Sequence, residues 1–165
     1  MSVELLNQDS VVEYLIEKKV ISSSDNPQVE VLTGGVSNVV LAITTSNQKL
    51  VLKQALAELA VSEKWEADQR RAIVEADALN LFNQLSPDQV PKLVFLDPVR
   101  FILVLERVPV GSTVWKSDLL AGVINPDIGA KLGKTLATWH NYGQENPEVK
   151  LKFMEDALFD QLRID

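Results

Sequence analysis

Between Val29 and Ala55 the sequence runs through stretches of Val, Ile, Leu and Thr, interrupted at Gly34-Gly35 and at Ser46-Asn47-Gln48. Such runs read as three consecutive strands, and their spacing predicts an antiparallel meander. Ser10 followed three residues later by Glu13 has the form of a capping box. Val12, Leu15 and Ile16 extend it into a short amphipathic helix ending near Lys18 and Lys19, before "SSSDNP" breaks it. Residues 64–85 return to helical spacing until Ser86-Pro87, where proline cannot continue a helix. "KLVFLD" and "RFILVLERV", on either side of Asp97-Pro98, then give a second strand pair joined by a tight turn. Five strands and one long helix predict an α+β unit with an antiparallel sheet.

Beyond Gly111 the pattern is helical. Asn125, Pro126 and Asp127 supply in order an N-cap, a first-turn proline and an acid suited to the helix dipole. Ile128, Leu132, Leu136 and Trp139 follow at helical spacing as far as Gly143. In "EVKLKFMEDALFDQLRID" the residues Leu151, Met154, Leu158 and Leu162 form another helical stripe. The change of character divides the chain into a sheet-rich lobe, residues 1–110, and a helical segment, residues 111–165.

Composition removes several classes of function. With 165 residues, 46% of them hydrophobic, the chain can bury a core of its own. A net charge of −7 without a basic run argues against nucleic acid or an anionic membrane surface as partner. The absence of cysteine and the presence of one histidine exclude disulfides, thiolate metal sites and histidine metal clusters. "MSVELLNQDS" is acidic and polar where a signal peptide is basic and then apolar, and no apolar run approaches the roughly 18 residues that span a bilayer. A cytoplasmic location is expected.

The most informative residue is Glu75. At about 100° per residue, Val74, Ala78, Leu79, Leu81, Phe82 and Leu85 share one apolar arc, with Asp77, Asn80, Asn83 and Gln84 opposite. Glu75 falls inside the arc, between Leu79 and Phe82. A carboxylate placed there needs a cation or hydrogen-bond donors. Arg71, four residues earlier, is a local partner. Lys53 is a distant one: strand alternation puts it on the face of Val51, opposite Leu50 and Leu52, and Asn38 and Val40 share a face on the preceding strand. A hairpin that brings Val40 and Val51 together makes an apolar clamp beside an ammonium group, which suits a flat ring joined to phosphate. Gly34-Gly35 belongs to neither a phosphate loop nor a dinucleotide fingerprint, because the loop opens into a strand and no Gly-Lys-Ser/Thr follows. It does suit a lid between antiparallel strands, with backbone N–H groups and the Ser37 hydroxyl over phosphates.

Gly-Gly-x-Ser-Asn at 34–38, Val-Leu-Lys at 51–53, Glu75 and "FILVLERV" at 101–108 together resemble the N-terminal lobe of the aminoglycoside phosphotransferase and choline kinase superfamily, closest in look to its methylthioribose kinase-like members. The resemblance implies a protein-kinase-like fold and transfer of the γ-phosphoryl of ATP, with Mg²⁺, to a small-molecule hydroxyl. In such a lobe Lys53 would hold the α- and β-phosphates and pair with Glu75. Gly34, Gly35, Ser37 and Asn38 would lie in the lid, Val40 and Val51 would sandwich adenine, and the main chain of Glu106, Arg107 and Val108 would bond its edge. "LATWH" looks like the start of the C-terminal lobe.

The family also uses a His-Gly-Asp type loop, a nearby Asn and a later metal-binding Asp. The single histidine, His140, is followed by Asn141-Tyr142-Gly143 at a helix end, and Asp156, Asp160 and Asp165 lack strand-and-turn context. No catalytic or metal-ligating residue is therefore assigned. The expectation is a truncated N-terminal portion of a small-molecule kinase that is inactive alone and self-associates through exposed C-terminal helices. Two other readings fit the same residues: a non-catalytic nucleotide- or partner-binding kinase-like module, and a purely structural Lys53–Glu75 pair.

Overall fold

A computed structural model describes residues 4–109, 111–154 and 156–161. Helix α1 (Val11–Glu17) precedes strands β1 (Gln28–Val31), β2 (Asn38–Thr44) and β3 (Lys49–Ala55). Helix α2 (Arg71–Leu85) follows, then a 3₁₀ turn (Pro87–Gln89) and strands β4 (Leu93–Asp97) and β5 (Ile102–Glu106). Helices α3 (Trp115–Leu120), α4 (Pro126–Glu145), α5 (Pro147–Phe153) and α6 (Asp156–Asp160) complete the described order. The five strands form one antiparallel sheet in the order β1-β2-β3-β5-β4, so the expected α+β architecture of a kinase-like N-terminal lobe is present. The last strand in sequence lies inside the sheet and β4 takes the edge.

Alternation gives the sheet two different faces. Leu41, Ile43, Leu50, Leu52, Ile102 and Val104 point to one side and bury Val11, Tyr14 and Leu15 of α1. On the other side Ala55, Leu103 and Leu105 meet Ala72 and Ala76 of α2. Gln54 is a fully buried polar residue on the α1 face. Its Oε1 accepts from Leu6 N–H at 2.8 Å and its amide donates to the Glu4 carbonyl at 3.1 Å, which ties the N-terminal segment to the sheet.

Sequence expectations fail where local signals meet competing partners. Ser10 makes no side-chain cap on α1. Its hydroxyl accepts from Asn7 N–H, while Asn7 Oδ1 takes Asp9 N–H and Ser10 N–H, so Asn7 organises the entry and the capping box is not formed. The long helix begins at Arg71 and not at 64, because residues 56–67 fold back on themselves through Leu59 N–H to Trp65 O at 2.8 Å and Ala67 N–H to Ala57 O at 3.0 Å. At α4 the expected cap holds, with Asn125 Oδ1 accepting from Asp127 N–H at 3.0 Å. The helix nevertheless passes Gly143 and stops before Pro147, whose ring disfavours helical backbone at Asn146. The final stripe splits into α5 and α6 at Met154, with Leu158 buried; Leu162 and Asp165 lie outside the described residues.

The β4–β5 turn is held by a carboxylate. Asp97 Oδ1 accepts from Val99 N–H and Arg100 N–H, and Oδ2 accepts from the Tyr14 hydroxyl at 2.8 Å, joining α1 to the turn. Burial works to raise the Asp97 carboxyl, but the N–H of Arg100, the Tyr14 hydroxyl and the N–H of Val99 outweigh it and hold it below its ordinary value. A carboxyl lowered in this way stabilises the fold above its unfolded-state value of about 4, and loses that contribution as pH falls through the lower folded value. Tyr14→Phe should therefore cost about 1 kcal/mol near neutral pH. The difference from wild type should shrink in acid as Asp97 protonates, which urea denaturation of both proteins along a pH series will show.

Candidate functional site

The pairing register fixes which residues share the α2 face. Val40 lies opposite Lys53 and Ala42 opposite Val51 on β2 and β3, while Lys53 and Val51 lie opposite Leu103 and Leu105 on β5. Directly paired residues point to one side of a sheet, so Val40, Val51 and Lys53 are neighbours on one surface. Val40 and Val51 are both half-buried there.

Lys53 forms an ion pair with Glu75 of α2, its Nζ donating to Oε1. The two side chains keep 24% and 37% exposure, so the pair is partly solvated and reachable from outside. Glu75 sits on a stripe with Ala72, Ala76 and Leu79, the residues that pack on the sheet. The packed face of α2 is thus rotated from the expected apolar arc: Ala72 and Ala76, which lie outside that arc, join Leu79 on the sheet, while Phe82 turns to α4 and stacks on Trp139, with ring centres 3.9 Å apart and planes 11° from parallel. Asp77, expected on the polar side, pairs with Lys152 of α5 at 3.0 Å. Helices α4 and α5 thus reach α2 at Phe82 and Asp77, while Asn80 and Gln84 of the expected polar side stay exposed.

Arg71 does not pair with Glu75. Its Nη1 donates to the carbonyls of Ala67 and Asp68 and its Nη2 to those of Ser37 and Leu56. Burial lowers its pKa from the ordinary guanidinium value, against the raising influence of Asp68 and Glu75. Sequence reasoning treated this residue only as a local partner for Glu75. The available signal was an arginine in the first turn of a helix, where a cation is unfavourable beside the dipole unless it has carbonyl partners.

The loop from 32 to 37 joins β1 to β2 and crosses the same end of the sheet. Gly34 has φ of +105°, a conformation that favours glycine, whereas Gly35 has no such requirement. Ser37 Oγ accepts from the Asn38 side-chain amide at 3.0 Å. At the other end of the face, Glu106 N–H donates to Lys92 O and Arg107 N–H to Lys49 O, each at 2.9 Å, so two of the three candidate hinge amides are already committed. Val108 is exposed, and its N–H has no partner among the described residues. The Arg107 side chain reaches Glu30 of β1 at 3.3 Å, an ion pair that sequence spacing did not indicate. His140 lies within α4, as expected, and among the described residues no three Asp, Glu or His side chains converge to hold a metal ion.

No family model matches the chain. It is similar to methylthioribose kinases: 27% identical over 133 residues to that of Bacillus cereus (strain G9842), covering 80% of this chain and 34% of the relative. Identity is 31% over 120 residues, 68% of this chain and 30% of the relative, with that of Enterobacter sp. (strain 638). With methylthioribose kinase 2 of Oryza sativa subsp. japonica it is 25% over 138 residues, 80% and 32% of the two chains. The chain spans about a third of the length of these curated relatives. The resemblance read from the residues is borne out: the relatives are kinases of the protein-kinase-like aminoglycoside phosphotransferase family.

Close approach of α2 to the sheet depends on fully buried Ala76. Ala76→Leu should push the helix outward, cost about 1–3 kcal/mol and lower the melting temperature by several degrees. Differential scanning calorimetry measures the loss, and a side-chain NMR probe on Lys53 reports separation of the ion pair.

Proposed function

We propose that this chain, similar over most of its length to methylthioribose kinases, supplies the nucleotide-holding part of an ATP-dependent phosphotransferase acting on a small-molecule hydroxyl. The observation that carries the reading is the meeting of Lys53 and Glu75 beside Val40 and Val51. A lysine fixed by a carboxylate, at the edge of an apolar surface and below a glycine-containing loop, suits a base attached to a phosphate chain. In this reading residues 1–110 are the nucleotide lobe and residues 111–165 the helical start of a second lobe.

Lys53 Nζ would meet the α- and β-phosphates, with Glu75 holding its direction. The backbone of Gly34 and Gly35 and the Ser37 hydroxyl would lie over the phosphates, with Asn38 at the loop's end. Val40 and Val51 would contact the adenine ring, and Val108 N–H is the hinge donor left to bond its edge. Phosphoryl transfer further requires a proton-accepting aspartate and a bound metal, normally Mg²⁺. The described acids do not fit a metal site, so no step is assigned to one, and these 165 residues alone are expected to hold nucleotide without transferring phosphate. The acceptor that the relatives' names carry is methylthioribose, and a cytoplasmic location fits such a substrate. Among the described residues no helix is long and apolar enough to cross a membrane.

Millimolar ATP should raise the melting temperature of the wild type by a few degrees and leave Lys53→Ala unshifted. No shift of the wild type would overturn the nucleotide reading. Ile128, Leu132 and Leu136 of α4 and Leu120 and Ile124 before it remain exposed and would rest on further protein. Sedimentation velocity of the 165-residue chain should show concentration-dependent association, and a clean monomer throughout would count against a missing lobe.

A further inference from the structure

Arg71 holds four carbonyl oxygens from three separate segments. Nη1 reaches Ala67 O at 3.1 Å and Asp68 O at 3.0 Å at the entry to α2, while Nη2 reaches Leu56 O at 2.8 Å just past β3 and Ser37 O at 2.6 Å at the end of the glycine-containing loop. Ser37 and Leu56 stand one step beyond the last pair of the β2–β3 ladder, Asn38 with Ala55, and Leu56 N–H also donates to Ser37 O at 3.0 Å. A single amino group of the guanidinium therefore clamps the end of the ladder where the loop begins. One helical turn later the same helix presents Glu75 to Lys53.

We propose that Arg71 is a positioning residue that couples the 34–38 loop to the placement of Lys53 through helix α2. A shift of α2 that separates Glu75 from Lys53 also draws the Arg71 guanidinium away from Ser37 and Leu56, so the lid and the phosphate-binding cation change state together. Only a planar fork with several divergent N–H groups can hold these carbonyls at once. Lysine keeps the charge but brings a single ammonium group to one point. The consequence for nucleotide rests on the kinase reading above, whereas the coupling of loop to helix does not.

Hydrogen–deuterium exchange on the chain, read by mass spectrometry, tests the coupling in the wild type, Arg71→Lys, Arg71→Gln, Lys53→Met and the double variant Arg71→Gln/Lys53→Met. Both Arg71 variants should speed about tenfold the exchange of the amides that hold the loop, Leu56 N–H on Ser37 O and Ala60 N–H on Val36 O, with β4 and β5 protected as in the wild type. Lys53→Met should also speed loop exchange while Arg71 is present and add nothing once Arg71 is replaced, since the two substitutions break one linkage. Loop exchange indifferent to Arg71, additive effects, or a uniform loss of protection in Arg71→Lys would each overturn the proposal. If Arg71→Gln fails to fold, Arg71→Lys and Lys53→Met decide the matter alone, and no rise in loop exchange in Lys53→Met is sufficient to reject it. Titration with ATP and with adenosine separates the two levels: Arg71→Lys should weaken ATP about tenfold and leave adenosine unchanged. A wild type that binds neither, with the exchange pattern as expected, removes the kinase reading and leaves the coupling standing. ATP binding with loop exchange blind to Arg71 does the reverse.

Discussion

The distance between helix α2 and the sheet governs everything on the candidate site's face. Ala55 on the sheet and Ala72 and Ala76 on the helix bring the two backbones close, and Leu103 and Leu105 fill the remaining space. Only at that spacing can Lys53, two residues from the end of β3, and Glu75, in the second turn of α2, meet without a long detour of either side chain. Larger residues at the alanine positions would leave both charges on the same surface without contact. The ion pair itself is partly solvated, so its net contribution to stability is on the order of 1 kcal/mol or less. Its importance lies in direction: it determines where the ammonium group points.

The two faces of the sheet divide the labour. The α1 face is a closed core whose polar members, Gln54 and Asp97, are fully committed to the N-terminal segment, to the β4–β5 turn and to Tyr14. That face stabilises. The opposite face leaves Val40, Val51 and Lys53 half-exposed and surrounds them with elements anchored at their ends: the loop at 32–37, the entry to α2 held by Arg71, and the chain after β5. Trp65 and Asp68, in the segment before α2, are tied in turn to Gln161 beside α6, each at 2.7 Å, so the same entry is also braced from the helical part of the chain.

Much of this was legible in the sequence, for identifiable reasons. Strand alternation has a strict period of two, so placing Lys53 with Val51 required no tertiary information. The Asn125-Pro126-Asp127 helix start is a local signal that no distant contact overrides. Glu75 was legible because a carboxylate in an apolar projection is a conflict, and conflicts on a helix face mark either a partner or a site. The arc points away from the face that packs, because the large residues Leu81, Phe82 and Leu85 weight it toward the side that meets other helices. Ala76 projects among Asn80 and Asn83, yet small residues are what close packing on the sheet requires. The start of α2 was placed too early because residues 64–70 have helical spacing while their backbone groups pair with residues 56–60.

What the sequence by itself determined, then, were most of the local elements, the faces of the strands and the presence of one acid among apolar neighbours that calls for a partner. Period and capping are properties of a few consecutive residues and need nothing from elsewhere. The tertiary structure decided that β5 enters the sheet beside β3, that Arg71 turns to four carbonyls and not to Glu75, and that Phe82 faces Trp139. Each of these depends on which distant groups compete for the same donor or the same apolar surface. That competition is settled only when the whole chain has packed.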